Sequence, residues 1–274
     1  MRKIKFIIAI VALLLGYITP PTAIGEQAKA TINQPEQDAE DSEADIDEEA
    51  LTILKKATDY LTGLKQFTIK AVKSTDVVQE SGQKLQFTTG IEVAIRRPNR
   101  FFGSWARDDG TIRQLWYNGE TVTIYEDTEN VFGQIQAPNT IDEMLDYMET
   151  VLKSPQPLTD IFDNDLSYLA ELPLSGSYVG VSYLDGIACD HLAFRGEAAD
   201  WQLWIDRGEK PLIKKIVLTY KELQGEPQIA ARMLNWNTQP TIADDLFQFS
   251  PPEGARQIQV FVTKRGKPGE GATQ

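Results

Sequence analysis

The stretch YLDGIACDHLAFRGEAADWQLWIDRGEKPLIKKIVLTY, Tyr183–Tyr220, decides the fold. It holds three β-rich runs, Ala188–Arg195, Trp201–Asp206 and Leu212–Tyr220, set apart by Gly, Asp and Pro. Each run is short, branched or aromatic, and ends at a turn signal. Upstream, Ser177–Leu184 meets the first run through Asp185-Gly186, a dipeptide that accepts the positive φ of a tight hairpin turn. Downstream, Ile229–Trp236 adds another strand. Strands joined in succession by tight turns form an antiparallel meander rather than parallel crossovers.

The same stretch carries the single Cys and the single His of the chain, Cys189 and His191, two residues apart and so on one strand face. Two ligands at that spacing, with no second Cys or His anywhere, fall short of a zinc site. A Ser-His-Asp arrangement would have to use His191, and neither a GxSxG elbow nor an HExxH pair is present. No glycine-rich loop follows a strand and opens a helix as a phosphate cradle would. The pair is therefore expected to be sheet wall, and Asp190 and Asp206 surface turn residues. No catalytic residue, metal or cofactor is expected, and the chain is not expected to be an enzyme.

Working outward, a second set of β-like runs lies upstream: Phe67–Gln79, Lys84–Arg97, Arg100–Arg107, Thr111–Tyr117, Glu120–Glu126 and Val131–Ile135. Asp109-Gly110 and Asn118-Gly119 mark two of the joins as hairpins. Ala50–Leu64 reads as an amphipathic helix, with Leu51, Leu54, Ala57, Leu61 and Leu64 on one face and Asp45 or Asp47 as cap. Between the meanders, Thr140-Ile-Asp-Glu143 is a capping box, followed by the apolar face Ile141, Met144, Leu145, Met148, Val151 and Leu152. Ser154-Pro-Gln-Pro157 stops that helix, and one more short helix is expected around Ile161–Leu169. About eleven strands and two or three helices make an α+β fold. Helices this few cannot cover both faces of so large a sheet, so a curved antiparallel half-barrel wrapped around them is expected.

At the start of the chain, Arg2, Lys3 and Lys5 precede the apolar run Phe6–Leu15, which is shorter than the roughly 20 residues of a membrane-spanning helix. Residues 1–25 thus read as a secretory signal, cut after Ala23, Gly25 or Ala30, and no Cys is nearby to accept a lipid. Residues 26–49 contain ten Asp or Glu and one Lys and are expected to form a disordered acidic leader. Of the net charge of −13, the leader holds −9 and the signal +3, leaving −7 for residues 50–274. No basic stripe is available for phosphates, which argues against nucleic acid. Residues 50–263 are expected to form one domain and 264–274 a flexible tail. The protein is expected in the periplasm, soluble after signal cleavage and monomeric.

Arg97-Pro-Asn-Arg-Phe101, Leu115-Trp-Tyr-Asn-Gly-Glu-Thr121 and Asp245-Leu-Phe-Gln-Phe-Ser-Pro-Pro-Glu-Gly254 together resemble the LolA-like lipoprotein-carrier superfamily. The phrases GxxCDHL at 186–192 and WQLWI at 201–205 look closer still to an uncharacterised branch of predicted periplasmic bacterial proteins. The resemblance covers about residues 50–262. It implies an eleven-stranded half-barrel with helices plugging its concave side, and a cavity that in the carriers holds lipoprotein acyl chains. It also implies that Arg97, matching the arginine of the carriers' RP segment, locks the lid helices to the sheet. The acidic leader and the long insert at 138–172 depart from the carriers.

Within that frame, Trp105, Trp116, Met144, Met148, Trp201 and Trp204 are the candidate cavity residues. Trp201, Leu203 and Ile205 share one strand face, whereas Gln202, Trp204 and Asp206 share the other. The same residues would serve a plain helix-on-sheet core, and the Met pair fills gaps in cores as readily as it lines binding sites. The expected function is to hold a hydrophobic small molecule, lipid or lipoprotein acyl chain, with peripheral membrane contact. The alternative is an interaction or sensor module that uses the same fold to bind an envelope protein.

Overall fold

The computed structural model describes residues 46–151 and 159–260. Helix α1 (Glu48–Gly63) opens at Asp47, whose Oδ1 accepts the Glu49 backbone N–H at 2.8 Å. Glu48 and Glu49 fill the first turn, where the helix dipole favours acidic side chains. Ile46–Glu49, expected in the disordered leader, thus belong to the ordered domain, and Ile46 bridges in parallel to Gly176. The signal, the leader up to residue 45, the Ser154–Pro157 stop and the 264–274 tail lie outside the described residues.

The first meander comprises β1 (Gln66–Val78), β2 (Lys84–Arg96), β3 (Arg100–Arg107), β4 (Ile112–Tyr117), β5 (Thr121–Glu126) and β6 (Val131–Gln136). Helix α2 (Ile141–Thr150) follows, starting where Thr140 Oγ1 accepts the Glu143 backbone N–H at 3.2 Å. The second meander is β7 (Ser175–Leu184), β8 (Ile187–Arg195), β9 (Ala199–Asp206), β10 (Ile213–Tyr220) and β11 (Gln228–Asn237). Between β7 and β8, Asp185 and Gly186 have φ of 51° and 79°, the double positive φ of a primed hairpin turn.

Strand β1 pairs antiparallel with β11, with Thr75 opposite Ile229, and so joins the two meanders into one open, curved sheet. With β12 (Arg256–Gln257) at one edge, its order is β12-β6-β5-β4-β3-β2-β1-β11-β10-β9-β8-β7. The twelfth strand, β12, runs parallel to β6 and is the one beyond the expected eleven. The chain leading to it straps the outer face of the first meander, where Phe249 packs on Trp116 and Phe132, each at 4.9 Å. The short helix expected around Ile161–Leu169 is instead two 3₁₀ turns, Thr159–Phe162 and Ser167–Ala170. Asp165 Oδ1 takes the Ser167 backbone N–H at 2.9 Å, a local bond that competes with a continuous helical ladder.

Strand alternation divides the side chains cleanly. Phe67, Ile69, Val93, Ile95, Phe101 and Leu115 all point to the inner face and join Leu54, Leu61, Met144 and Met148 of the helices in one core. A separate small cluster on the outer face holds Cys189, Trp204 and Val217.

Candidate functional site

Five aromatic rings form a continuous row on the inner face. Trp236 lies 5.6 Å from Phe67, Phe67 lies 6.5 Å from Phe162, Phe162 lies 5.9 Å from Phe101, and Phe101 lies 6.5 Å from Trp105. Four of these rings stand on strands; Phe162 descends between them from the 3₁₀ turn that follows α2. Trp105 can lie along the sheet because its neighbour two residues earlier is Gly103. A Cβ there would sit 2.4 Å from the indole Cη2.

Arg97, the residue after β2, holds the Phe162 turn in place. Its Nη1 donates to the Phe162 carbonyl and to Asn164 Oδ1, both at 2.8 Å. Asn164 in turn donates its backbone N–H and its Nδ2 to Asp142 Oδ1 of α2, both at 2.8 Å. The guanidinium carbon lies 5.7 Å from the centre of the Phe67 ring. Arg97 Nε and Nη2 are buried without a hydrogen-bond partner among the described residues. Burial pulls its pKa below the ordinary arginine value, while the charges of buried Asp142 and Asp163 oppose that shift. One side chain therefore touches the strand, the 3₁₀ turn and, through Asn164, the helix.

Beside the row of rings the face keeps Ala71 and Ile91, then crosses a row of Lys73, Thr89 and Arg107 before it reaches Phe87. Ile91 and Trp105 are only partly buried, and Phe87, two positions further along β2 from Thr89, is 41% exposed. From Ile95 to Phe87 the strand spans roughly 26 Å. One end of this floor is filled by the helices and the Phe162 ring; the other is open to solvent.

The candidate cavity residues do not all meet here. Trp105 lies at the open end of the floor, and Trp201, Met144 and Met148 are buried in the inner core. Trp116 and Trp204 are on the outer face. Trp116 packs 5.5 Å from Phe102 and lines an open cleft of about 830 Å³ under the C-terminal strap, with Thr68, Gln114 and Asn237. Trp204 stacks on His191 at 4.1 Å, with Lys215 Nζ 4.3 Å from its ring centre on β10. These two indoles therefore take no part in an inner cavity, because the two-residue period of the strand aims each at the far side of the sheet. Cys189 is fully buried in the outer cluster, and burial pushes its thiol pKa up, away from nucleophilic thiolate chemistry. Among the described residues, no three His, Cys, Asp or Glu converge as metal ligands would.

Sequence reasoning missed Phe162, Asn164, Asp142 and the Ile91–Phe87 floor. The alternation of Lys84–Arg97 carried the signal for the floor; nothing local marked Phe162, which acts 61 residues from Phe101.

No match is found among curated proteins. Among solved structures, the lipoprotein LppX of Mycobacterium tuberculosis is similar at 13% identity and a TM-score of 0.46, over 72% of this chain and all of that one. LprF from Mycobacterium bovis is similar at 12% identity and a TM-score of 0.46, over 73% of this chain and 98% of that one. MucB in its complex with MucA from Pseudomonas aeruginosa gives 18% identity and a TM-score of 0.42, over 74% of this chain and 61% of that one. Residues 50–261 match the family model described as a predicted periplasmic protein, DUF2092, and the chain belongs to that periplasmic family.

Proposed function

We propose that this periplasmic protein holds a hydrophobic ligand, the acyl chain of a lipid or lipoprotein, on the inner face of its half-barrel. The chain enters at the open end beside Phe87 and Trp105 and advances along the floor as the Phe162 ring withdraws. The observation that carries this is the apolar floor from Ile95 to Ile91 and Trp105, solvent-open at one end and plugged at the other by a ring on a short turn. A plug held by one arginine network leaves without unfolding the sheet, which is what a reversible binder needs.

Native mass spectrometry of the protein purified from its own envelope is the test. The expected spectrum shows bound species in the mass range of lipids, displaced by acyl probes. A uniformly ligand-free protein with no affinity for such probes would falsify the proposal.

A further inference from the structure

The open end of the floor is marked by an uncompensated cation. Lys73 of β1 stands opposite Thr89 of β2, which stands opposite Arg107 of β3. All three share the inner-face parity of Ala71, Ile91 and Trp105. On the next strand, Arg113 faces Trp105 and shares the same side. Arg107 is paired with Asp109 at 3.0 Å, and Arg113 with Glu126 at 2.8 Å. Lys73 has no such carboxylate among the described residues. It is half-buried, and its ordinary pKa is lowered first by burial and then by the Arg107 charge. Lys70, three residues away on the outer face, shows the contrast: it is exposed and bonded to Glu92 at 2.7 Å.

A desolvated lysine next to another cation, without an acid to offset it, is unfavourable in the free protein. It becomes favourable when an anion arrives, because a charge-assisted hydrogen bond at the rim of an apolar site is stronger than one in water. The cation sits where the apolar floor meets solvent, which is where the head of a bound amphiphile would lie. Residues 50–274 carry a net charge of −7, so general attraction for anions is not the explanation; the positive charge is local.

Resting on the acyl-binding proposal, we propose that the ligand is an anionic amphiphile: its acyl chain lies on the inner face, and its carboxylate or phosphate head is held by Lys73. Thr89, between Lys73 and Arg107, offers a hydroxyl to the same head.

The full mature chain, stripped of co-purified lipid, is titrated below micelle concentrations with four twelve-carbon probes: dodecanoate, dodecyl phosphate, dodecyl maltoside and dodecyltrimethylammonium. The expected result is binding of an anionic probe about tenfold tighter than the neutral one, with the cationic probe weakest. Comparison of the two anionic arms separates a carboxylate head from a phosphate head. Lys73→Gln should remove the anionic preference while leaving dodecyl maltoside affinity unchanged, and Lys73→Arg should retain it. Equal affinity for anionic and neutral probes in the native chain overturns this inference and leaves the acyl-binding proposal standing. Equal weakening of all probes by Lys73→Gln does the same, since it marks a structural role. Failure of every probe to bind overturns both.

Discussion

Replacing Arg97 by leucine tests the proposed latch on the Phe162 turn. The substitution removes the donors to the Phe162 carbonyl and Asn164 Oδ1, and the positive charge that acts on buried Asp142 and Asp163. Hydrogen bonds to charged groups contribute about 1.5–3 kcal/mol each, and losing the positive charge near two buried carboxylates adds to that. These terms overlap, because the same guanidinium makes both, and the leucine regains some apolar contact with Phe67. A net loss of about 3 kcal/mol is expected, carried mainly by closure of the lid and not by the sheet; at about 1.4 kcal/mol per tenfold, that is roughly a 150-fold rise in the open fraction. Native-state hydrogen exchange reads this directly. Amides of α2 and of the Phe162 turn should lose about two decades of protection, while those of β8–β10 stay unchanged. Adding Asp142→Asn to the Arg97→Leu variant should recover part of the loss, since it removes one stranded charge. Unchanged α2 protection, or a loss spread evenly over helix and sheet, refutes the idea that Arg97 latches a separable lid.

Phe162→Ala should cost about 3–5 kcal/mol by chemical denaturation, as expected for an emptied aromatic site, and an acyl probe should restore more stability to this variant than to the native chain. A probe that stabilises both equally would show that Phe162 does not occupy the ligand's path. Brominated acyl probes should quench Trp105, so Trp105→Phe should remove most of the quenching, whereas Trp204→Phe should leave it intact because that indole lies across the sheet. Tyr117 is fully buried and donates its hydroxyl to the Pro138 carbonyl. Burial, reinforced by Glu143, raises its pKa from the ordinary 10 to about 12. The unfolded chain therefore loses this proton first, and the stability it supplies, full below about pH 10, is lost as pH rises towards about 12. Tyr117→Phe should cost about 1 kcal/mol at neutral pH and flatten the stability profile between those limits; an unchanged alkaline slope in urea titrations at each pH would count against the assignment.

Local pattern determined much of this protein. Period-two alternation placed eleven strands, the Asp-Gly and Asn-Gly pairs joined them, and the Thr140 capping box started α2, because each is decided by residues a few positions apart. The same alternation assigned Trp201 and Trp204 to opposite faces, and only burial was needed to say which face was the inner one. The failure at Ile161–Leu169 is also local in origin: a short helix was expected, but the Asp165 side chain takes a backbone donor that a continuous ladder would use.

Other features depend on groups that meet only when the sheet closes up. Pairing of β1 with β11 brings together residues more than 150 positions apart, and no short-range signal specifies which strands of two meanders will join. The C-terminal strap covers Trp116 from outside, so an indole that alternation alone could have offered to a cavity ends in a second layer of packing. Phe162 reaches Phe67 and Phe101 from a turn whose carbonyl is held by Arg97, 65 positions earlier in the chain. Lys73 is an ordinary strand lysine in the sequence; its isolation follows from how acids on the neighbouring elements are used, Asp109 by Arg107 and Glu126 by Arg113. Periodicity sets which side of a strand a residue takes, whereas burial and charge compensation are sums over neighbours that only the tertiary structure supplies.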